Sequence, residues 1–306
     1  MKKRITSIFL ILIVLMSTCG CVDQHPEKNS ESNGTYRLVA TSPATMDICD
    51  KLGLSLVGIP ATEDIPERFS DTKQIGTAMA PDVEQIALLQ PTDVIGPASL
   101  QKDLEPKYQA TGIPYTFIDL KSVEGMYESI ALLGNKYGVQ NTARQLINDY
   151  KNTLSQFQNT IQTKERPTVL ILMGLPGSYI EATKYSYVGS LVELCNAENV
   201  VSVEEEDDFV SWNTEELLQL DPDYILLTAH GLPDEAMKMF SEEFKNNDIW
   251  SHFRAVQQGR VYELNYDLFG MSATFMWPQA LMQLKQILYD GSQEPFVRRE
   301  GNSGDD

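Results

Sequence analysis

Histidine is scarce in this chain: among 306 residues there are only His25, His230 and His252. A zinc or manganese centre built on several imidazoles therefore cannot be assembled. Cysteine is nearly as rare. Cys19 and Cys21 sit together near the N-terminus, and Cys49 and Cys195 lie far apart, which is no disulfide framework. There is no G-x-x-x-x-G-K-[ST] phosphate loop, no G-x-S-x-G nucleophile elbow and no H-E-x-x-H metal helix. Basic residues are short as well. Lys and Arg number 24 against 43 Asp and Glu, a formal charge of −19 that argues against a nucleic-acid partner.

The apolar run 8–16 is nine residues long, short of the roughly 20 that a membrane span requires. It follows Lys2, Lys3 and Arg4 and ends near Ser17-Thr18-Cys19-Gly20-Cys21, which suits a secretory signal core. A core ending at a cysteine resembles a bacterial lipoprotein signal. Residues 1–20 then read as signal peptide and Cys21 as the lipidated first residue, with Cys19 as the alternative. Its removal takes the charge from −19 to −22. Residues 21–35 are polar and aperiodic, a flexible tether. Residues 291–306 read as a disordered tail.

What the chain does have is a repeat. Residues 84–95 read EQIALLQPTDVI and residues 215–226 read EELLQLDPDYIL. Each opens on a glutamate, runs as a helix, meets a proline seven residues on (Pro91, Pro222) and turns into an apolar strand. A second echo pairs MDICDKLGL, before LVGI, with SLVELCNAE, before NVVSV. Aligned on Cys49 and Cys195 its offset is 146 residues against 131 for the first, which gives the first half about 15 extra residues. The expectation is an α/β chain with two similar Rossmann-like lobes, 36–138 and 165–290, and a ligand cleft between them.

From Asn141 to about Gln162 there is no Pro or Gly. Ala143, Leu146, Ile147, Tyr150, Leu154, Phe157 and Ile161 keep a helical rhythm. Asn141 is the expected N-cap. One helix of roughly 33 Å would link the lobes, with 139–164 as its segment, and leave a semi-rigid cleft.

Two residues stand out for that cleft. His230 follows the strand DYILLT, at the end where open α/β sheets place ligands. His252 sits among helix residues and reads as surface or packing. Met79, in the Gly/Ala/Pro-rich loop IGTAMAPD, has no helical face to fill. A thioether from one lobe facing an imidazole from the other matches the axial ligands of a haem iron. Helix starts offer unpaired N–H groups to anions. On that ground Thr41-Ser42-Pro43 and the turn Gly177-Ser178-Tyr179, read as opening a helix, are candidate cradles for propionates.

Across 36–289 the chain resembles the ABC-transporter substrate-binding lipoproteins whose lobes are joined by a single helix, the group handling cobalamin, siderophores and haem. Within it the likeness is to the haem-receptor lipoproteins of the iron-regulated surface determinant system. The stretches that carry it are VATSPATMDICDKLGLSLVGIP, IGTAMAPDVEQI, LKSVEGM, LILMGLPGSYI, AHGLPDE, EEFKNNDIWSHFRAV and FGMSATF. The resemblance implies a non-enzymatic, lipid-anchored receptor on the outer face of the cell membrane. It would carry haem b to a dimeric permease with a separate ATPase, and upstream haem-donor proteins could load it. It places Met79 and His230 at the axial positions. Ala80 stands where an acidic residue is expected, a departure that touches the cleft rim and not the ligand atom. FGMSAT, with Met271, completes the cleft wall, and Glu84 and Glu215 dock onto permease arginines. The same fold could instead bind an iron–siderophore or a corrinoid. A two-lobed metalloenzyme is the alternative of another class, and the missing His/Cys/carboxylate cluster counts against it.

Overall fold

The computed structural model describes residues 36–296. Five short strands open the chain: β1 (Leu38–Ala40), β2 (Leu56–Ile59), β3 (Lys73–Gln74), β4 (Asp93–Pro97) and β5 (Tyr115–Ile118). They pair parallel in the order β3-β2-β1-β4-β5. Helices α1 (Pro43–Lys51), α2 (Val83–Leu88) and α3 (Gln101–Thr111) cross between them, and α4 (Val123–Tyr137) follows β5. β1 and β4 are buried along their whole length, as parallel strands covered on both faces must be.

Helix α5 (Gln140–Ile161) follows, 22 residues without a break. It starts after Val139, which caps it with no side-chain bond, so Asn141 lies inside the first turn and is not its N-cap. Gly138, left-handed at φ 78°, ends α4 and turns the chain back. The two helices then meet at Gly134, where a Cβ would come within 2.5 Å of the Ala143 methyl group.

The second lobe contains β6 (Thr168–Leu175), β7 (Ser178–Ala182), β8 (Glu198–Asn199), β9 (Phe209–Val210), β10 (Tyr224–Ala229) and β11 (Val261–Glu263). Its helices are α6 (Tyr187–Leu194), α7 (Thr214–Gln219), α8 (Pro233–Asn246), α9 (Arg254–Gln257) and α10 (Trp277–Lys285). The sheet order is β11-β10-β6-β7-β9, with β8 on the start of β6. β8, β6, β10 and β11 run parallel and repeat the β2-β1-β4-β5 core of the first lobe. The hairpin β6–β7 is what the second lobe adds.

The first repeat reads directly in the backbone. α2 leads into β4 and α7 into β10, and the residues before the two prolines, Gln90 and Asp221, both take left-handed φ values of 47° and 41°. An arginine clamps each turn: Arg37 donates to Leu89 O and Gln90 O, and Arg254 to Asp221 O. The second repeat is shifted from the cysteine alignment. The turn ending α1 is Gly53, with Leu54 N–H bonded to Cys49 O, and the turn ending α6 is Asn196, with Ala197 N–H bonded to Val192 O. Cys49 therefore matches Val192 rather than Cys195. The true offset is 143 residues, because the left-handed turn and not the thiol is what repeats.

One apolar cluster runs through both lobes. It joins β1 and α1 to α4, α5, α6 and α10, so the lobes share a core as well as a helix. Residues 291–296, read from sequence as the start of a loose tail, stay on the body. Phe296 N–H bonds Val261 O at 2.7 Å, and its ring packs on the second lobe's core, satisfying part of the β11 edge. Residues 1–35 and 297–306 lie outside the described residues, and with them Cys19, Cys21 and His25.

Candidate functional site between the lobes

The carboxyl ends of the parallel strands are where open α/β sheets leave a crevice. In the first lobe the chain leaves β3 and makes a closed turn. A bridge pairs Gly76 with Pro81, Ala80 N–H bonds Thr77 O, and Asp82 N–H bonds Ile75 O at 2.7 Å. Met79 stands at the tip with 67 % of its surface exposed. That leaves most of a side chain whose natural place is a core open to solvent. In the second lobe His230 follows the last residue of β10, and its N–H bonds Gly174 O at 2.9 Å. His230 is half-buried, and Gly231 and Leu232 after it are left-handed, turning the chain into α8. Leu232 is exposed beside it.

Segment 269–277 crosses from one carboxyl end to the other. Thr228, two residues before His230, donates to Phe269 O at 2.7 Å. Four residues on, Ala273 N–H bonds Leu120 O, just past β5, at 2.8 Å. Four extended residues reach roughly 14 Å at most, so the two sheet ends share one space. Met271 lies between these anchors with its side chain partly exposed. Sequence reasoning found this segment but not its anchors, nor the ion pair of Lys121 with Asp208 at 2.7 Å that also joins the lobes.

The two expected anion cradles fare differently. Ser42 does cap α1, with Pro43 as the first helical residue. However, Thr41 and Ser42 are buried and already engaged. Thr41 N–H and Oγ1 bond Ile95 O, and Ser42 exchanges bonds with Thr45 in a capping box. Gly177-Ser178-Tyr179 is not a helix start, which corrects the sequence reading. It is the tip of the β6–β7 hairpin, where Pro176 and left-handed Gly177 make a two-residue turn between Leu175 and Ser178. Tyr179 packs on Phe240 and Trp250, and its hydroxyl reaches Thr214. The register that pairs Gly174 with Ala229 still puts this tip beside His230. The second lobe's real counterpart of the α1 start is Ser186, which caps α6.

Glu84 and Glu215 occupy the same place: each is the second residue of a six-residue helix, capped by Asp82 and Asn213 respectively. Both are exposed. Cys49 and Cys195 are buried free thiols whose pKa burial pushes up to about 12, so neither is a thiolate ligand or nucleophile. Glu181 is buried in β7, where desolvation raises its carboxyl pKa against the opposing N–H that Trp212 donates to it. His252 is exposed at the end of a 3₁₀ turn. Among the described residues no group of three or more His, Cys, Asp or Glu side chains could hold a metal ion. No helix there is long and apolar enough to cross a membrane.

Two α/β lobes facing one another across a space fixed by a long helix and a shared core define a two-lobed solute-binding protein. The periplasmic binding protein family model matches residues 38–268, and the chain belongs to that family. It is 38 % identical over 286 residues to the high-affinity heme uptake system protein IsdE of Staphylococcus aureus, covering 92 % of this chain and 96 % of that protein. The crystal structure of S. aureus IsdE complexed with heme superposes with a TM-score of 0.79 at 39 % identity, over 84 % of this chain and 100 % of that one. An ABC transporter substrate-binding protein from Listeria monocytogenes is similar too. Its TM-score is 0.80 at 42 % identity, over 83 % of this chain and 99 % of that one. Proteins of this family bind and hand over solutes and do not transform them.

Proposed function

We propose that this protein binds haem between its lobes and delivers it to the permease of an ABC importer on the outer side of the cell membrane. The observation that carries the reading is the likeness to the heme-bound IsdE structure over nearly the whole folded body. Haem here is cargo, and the chain's own residues do four things to it. His230, fixed to the sheet through Gly174, offers an imidazole to the iron. Met79, exposed on its closed turn, offers a thioether from the opposite lobe. Met271 and Leu232 present apolar surface to the macrocycle. Backbone N–H groups at the Gly177-Ser178 hairpin tip meet the propionates, since those at Thr41 and Ser42 are engaged internally.

Glu84 and Glu215 present one carboxylate per lobe toward the permease, where each would accept a bidentate pair of hydrogen bonds from an arginine. Cys21 carries the lipid anchor. Upstream donors that load the cleft are cell-surface haem-binding proteins. The test is spectroscopic. Purified protein titrated with haemin should develop a Soret band that saturates at one equivalent, and ferric siderophores and cobalamin should not compete. Saturation by either competitor with no haemin binding would replace haem by that ligand in the same cleft.

A further inference from the structure

Segment 269–277 belongs to the second lobe by sequence, yet its far half is packed on the first. Phe269 is fully buried in the second lobe and tied to Thr228. From there the burial alternates: Met271 is exposed, Ala273 is buried against Leu120, Met276 is exposed and Trp277 is buried. Phe275 sits edge-on to Tyr127 at 6.3 Å and beneath the Lys51 ammonium. The Trp277 indole N–H donates to the Tyr127 hydroxyl at 3.2 Å, in a bond buried between the lobes. Tyr127 stacks on Tyr150 at 4.3 Å and 10°, and Tyr150 meets Trp277 edge-on at 5.4 Å. So α4, the linking helix α5 and α10 are clasped at one aromatic point, and the segment runs from that clasp to the strand that ends at His230.

A further detail concerns Tyr187 on α6. It is buried, and its hydroxyl is directed at Thr274 of this segment. One stretch of chain is thus held by the second lobe at Thr228, by the first lobe at Leu120 and Tyr127, and is met by Tyr187 of α6 at Thr274 between them. Any change in the separation of the lobes must move it.

We propose that 269–277 is an interlobe strap that sets the span between the two iron ligands, with Tyr127 and Trp277 as the positioning residues that hold it. This rests on Met79 and His230 being those ligands. The thioether is the weaker ligand and sits on a turn that follows the edge strand of its sheet, so it is the one a loosened span releases first. The strap therefore governs the methionine bond and leaves the histidine bond in place.

The test uses the haem-loaded full chain with Tyr127→Phe, Trp277→Phe and, as a control, Tyr289→Phe. The control removes bonds to Cys195 O and Asn196 O that do not touch the strap. The readout is access of added imidazole to the methionine side of the iron. Both strap variants should keep haem and admit imidazole about fivefold more readily than wild type, the factor that one ordinary hydrogen bond represents. Tyr289→Phe should melt earlier yet admit no more imidazole. If wild type is already as open as Met79→Ala, the ligand assignment itself fails. If wild type is closed and the strap variants match it or match the control, the strap proposal is overturned.

Discussion

Met79 and His230 stand at the carboxyl ends of the two sheets, but the lobes hold them differently. Met79 is on a four-residue turn after a two-residue edge strand, with most of its surface free. His230 continues a six-residue strand paired on both sides, and its own N–H is bonded into the sheet. A ligand on a paired central strand stays in place at little further entropic cost, whereas one on an edge turn must be ordered when it binds. On the proposed ligation the two residues would have different tasks: the histidine side would retain the iron, and the methionine side would close and open.

The lobes also differ where their topology agrees. The third residues of α1 and α6 are Thr45 and Gly189. Thr45 completes a capping box, while a Cβ at Gly189 would lie 1.9 Å from Thr183 O. Gly189→Ala should therefore destabilise the protein by about 3 kcal/mol or more, as overpacking against backbone does. Thr45→Ala should cost about 1 kcal/mol, a lost cap. Urea melts of both variants measure the pair, and equal losses would mean that the second lobe is not tighter at this point.

The next largest effect concerns retention. His230→Ala should speed haem loss to an apo-haem scavenger by about a hundredfold, close to 2.8 kcal/mol, and Met79→Ala by about tenfold. The reverse order would break the division of tasks drawn above. Glu84→Ala with Glu215→Ala should leave haem binding intact and lower haem uptake by cells. As first-turn residues they contribute no more than about 1 kcal/mol each to stability. Normal uptake by the double variant would reduce them to helix-start residues.

The smallest effect is a pH dependence at one position of the first lobe. Asp47 is the fifth residue of α1. Burial, then Asp50, pushes the Asp47 carboxyl up to about 6, with Lys51 opposing. Its folded pKa is raised, so the associated stability is full below the ordinary carboxylate range and is lost as pH rises through about 6. Asp47→Asn should then be the more stable protein at pH 8, by about 1 kcal/mol after allowance for solvent, and equal to wild type at pH 4. A gain at both pH values would point to a packing effect.

Much of this architecture is legible in the residues because it depends on local rules. Proline after an apolar helix gives the turn into β4 and β10, and a 22-residue helical rhythm gives α5. The turn at 174–179 was misread because a glycine-rich stretch after a strand suits a helix start or a hairpin equally. Only the pairing of Leu175 with Ser178 decides between them. The cysteine alignment failed by three residues because a buried thiol is replaceable by valine, whereas the left-handed helix end favours Gly or Asn, as Gly53 and Asn196 are. The anchors of the strap leave no local signature. Leu120, Tyr127 and Tyr150 are more than a hundred residues from the segment they hold, and nothing in their spacing points to it.

The most direct measurement of the central claim is the spin state of the ferric haem complex in wild type, Met79→Ala and His230→Ala, by absorption and magnetic circular dichroism at one pH. The wild-type complex should be six-coordinate and low-spin. Met79→Ala should remain haem-loaded and turn high-spin, and His230→Ala should lose the imidazole signature along with most of its haem. A wild-type spectrum in both variants would contradict ligation across the cleft by this pair.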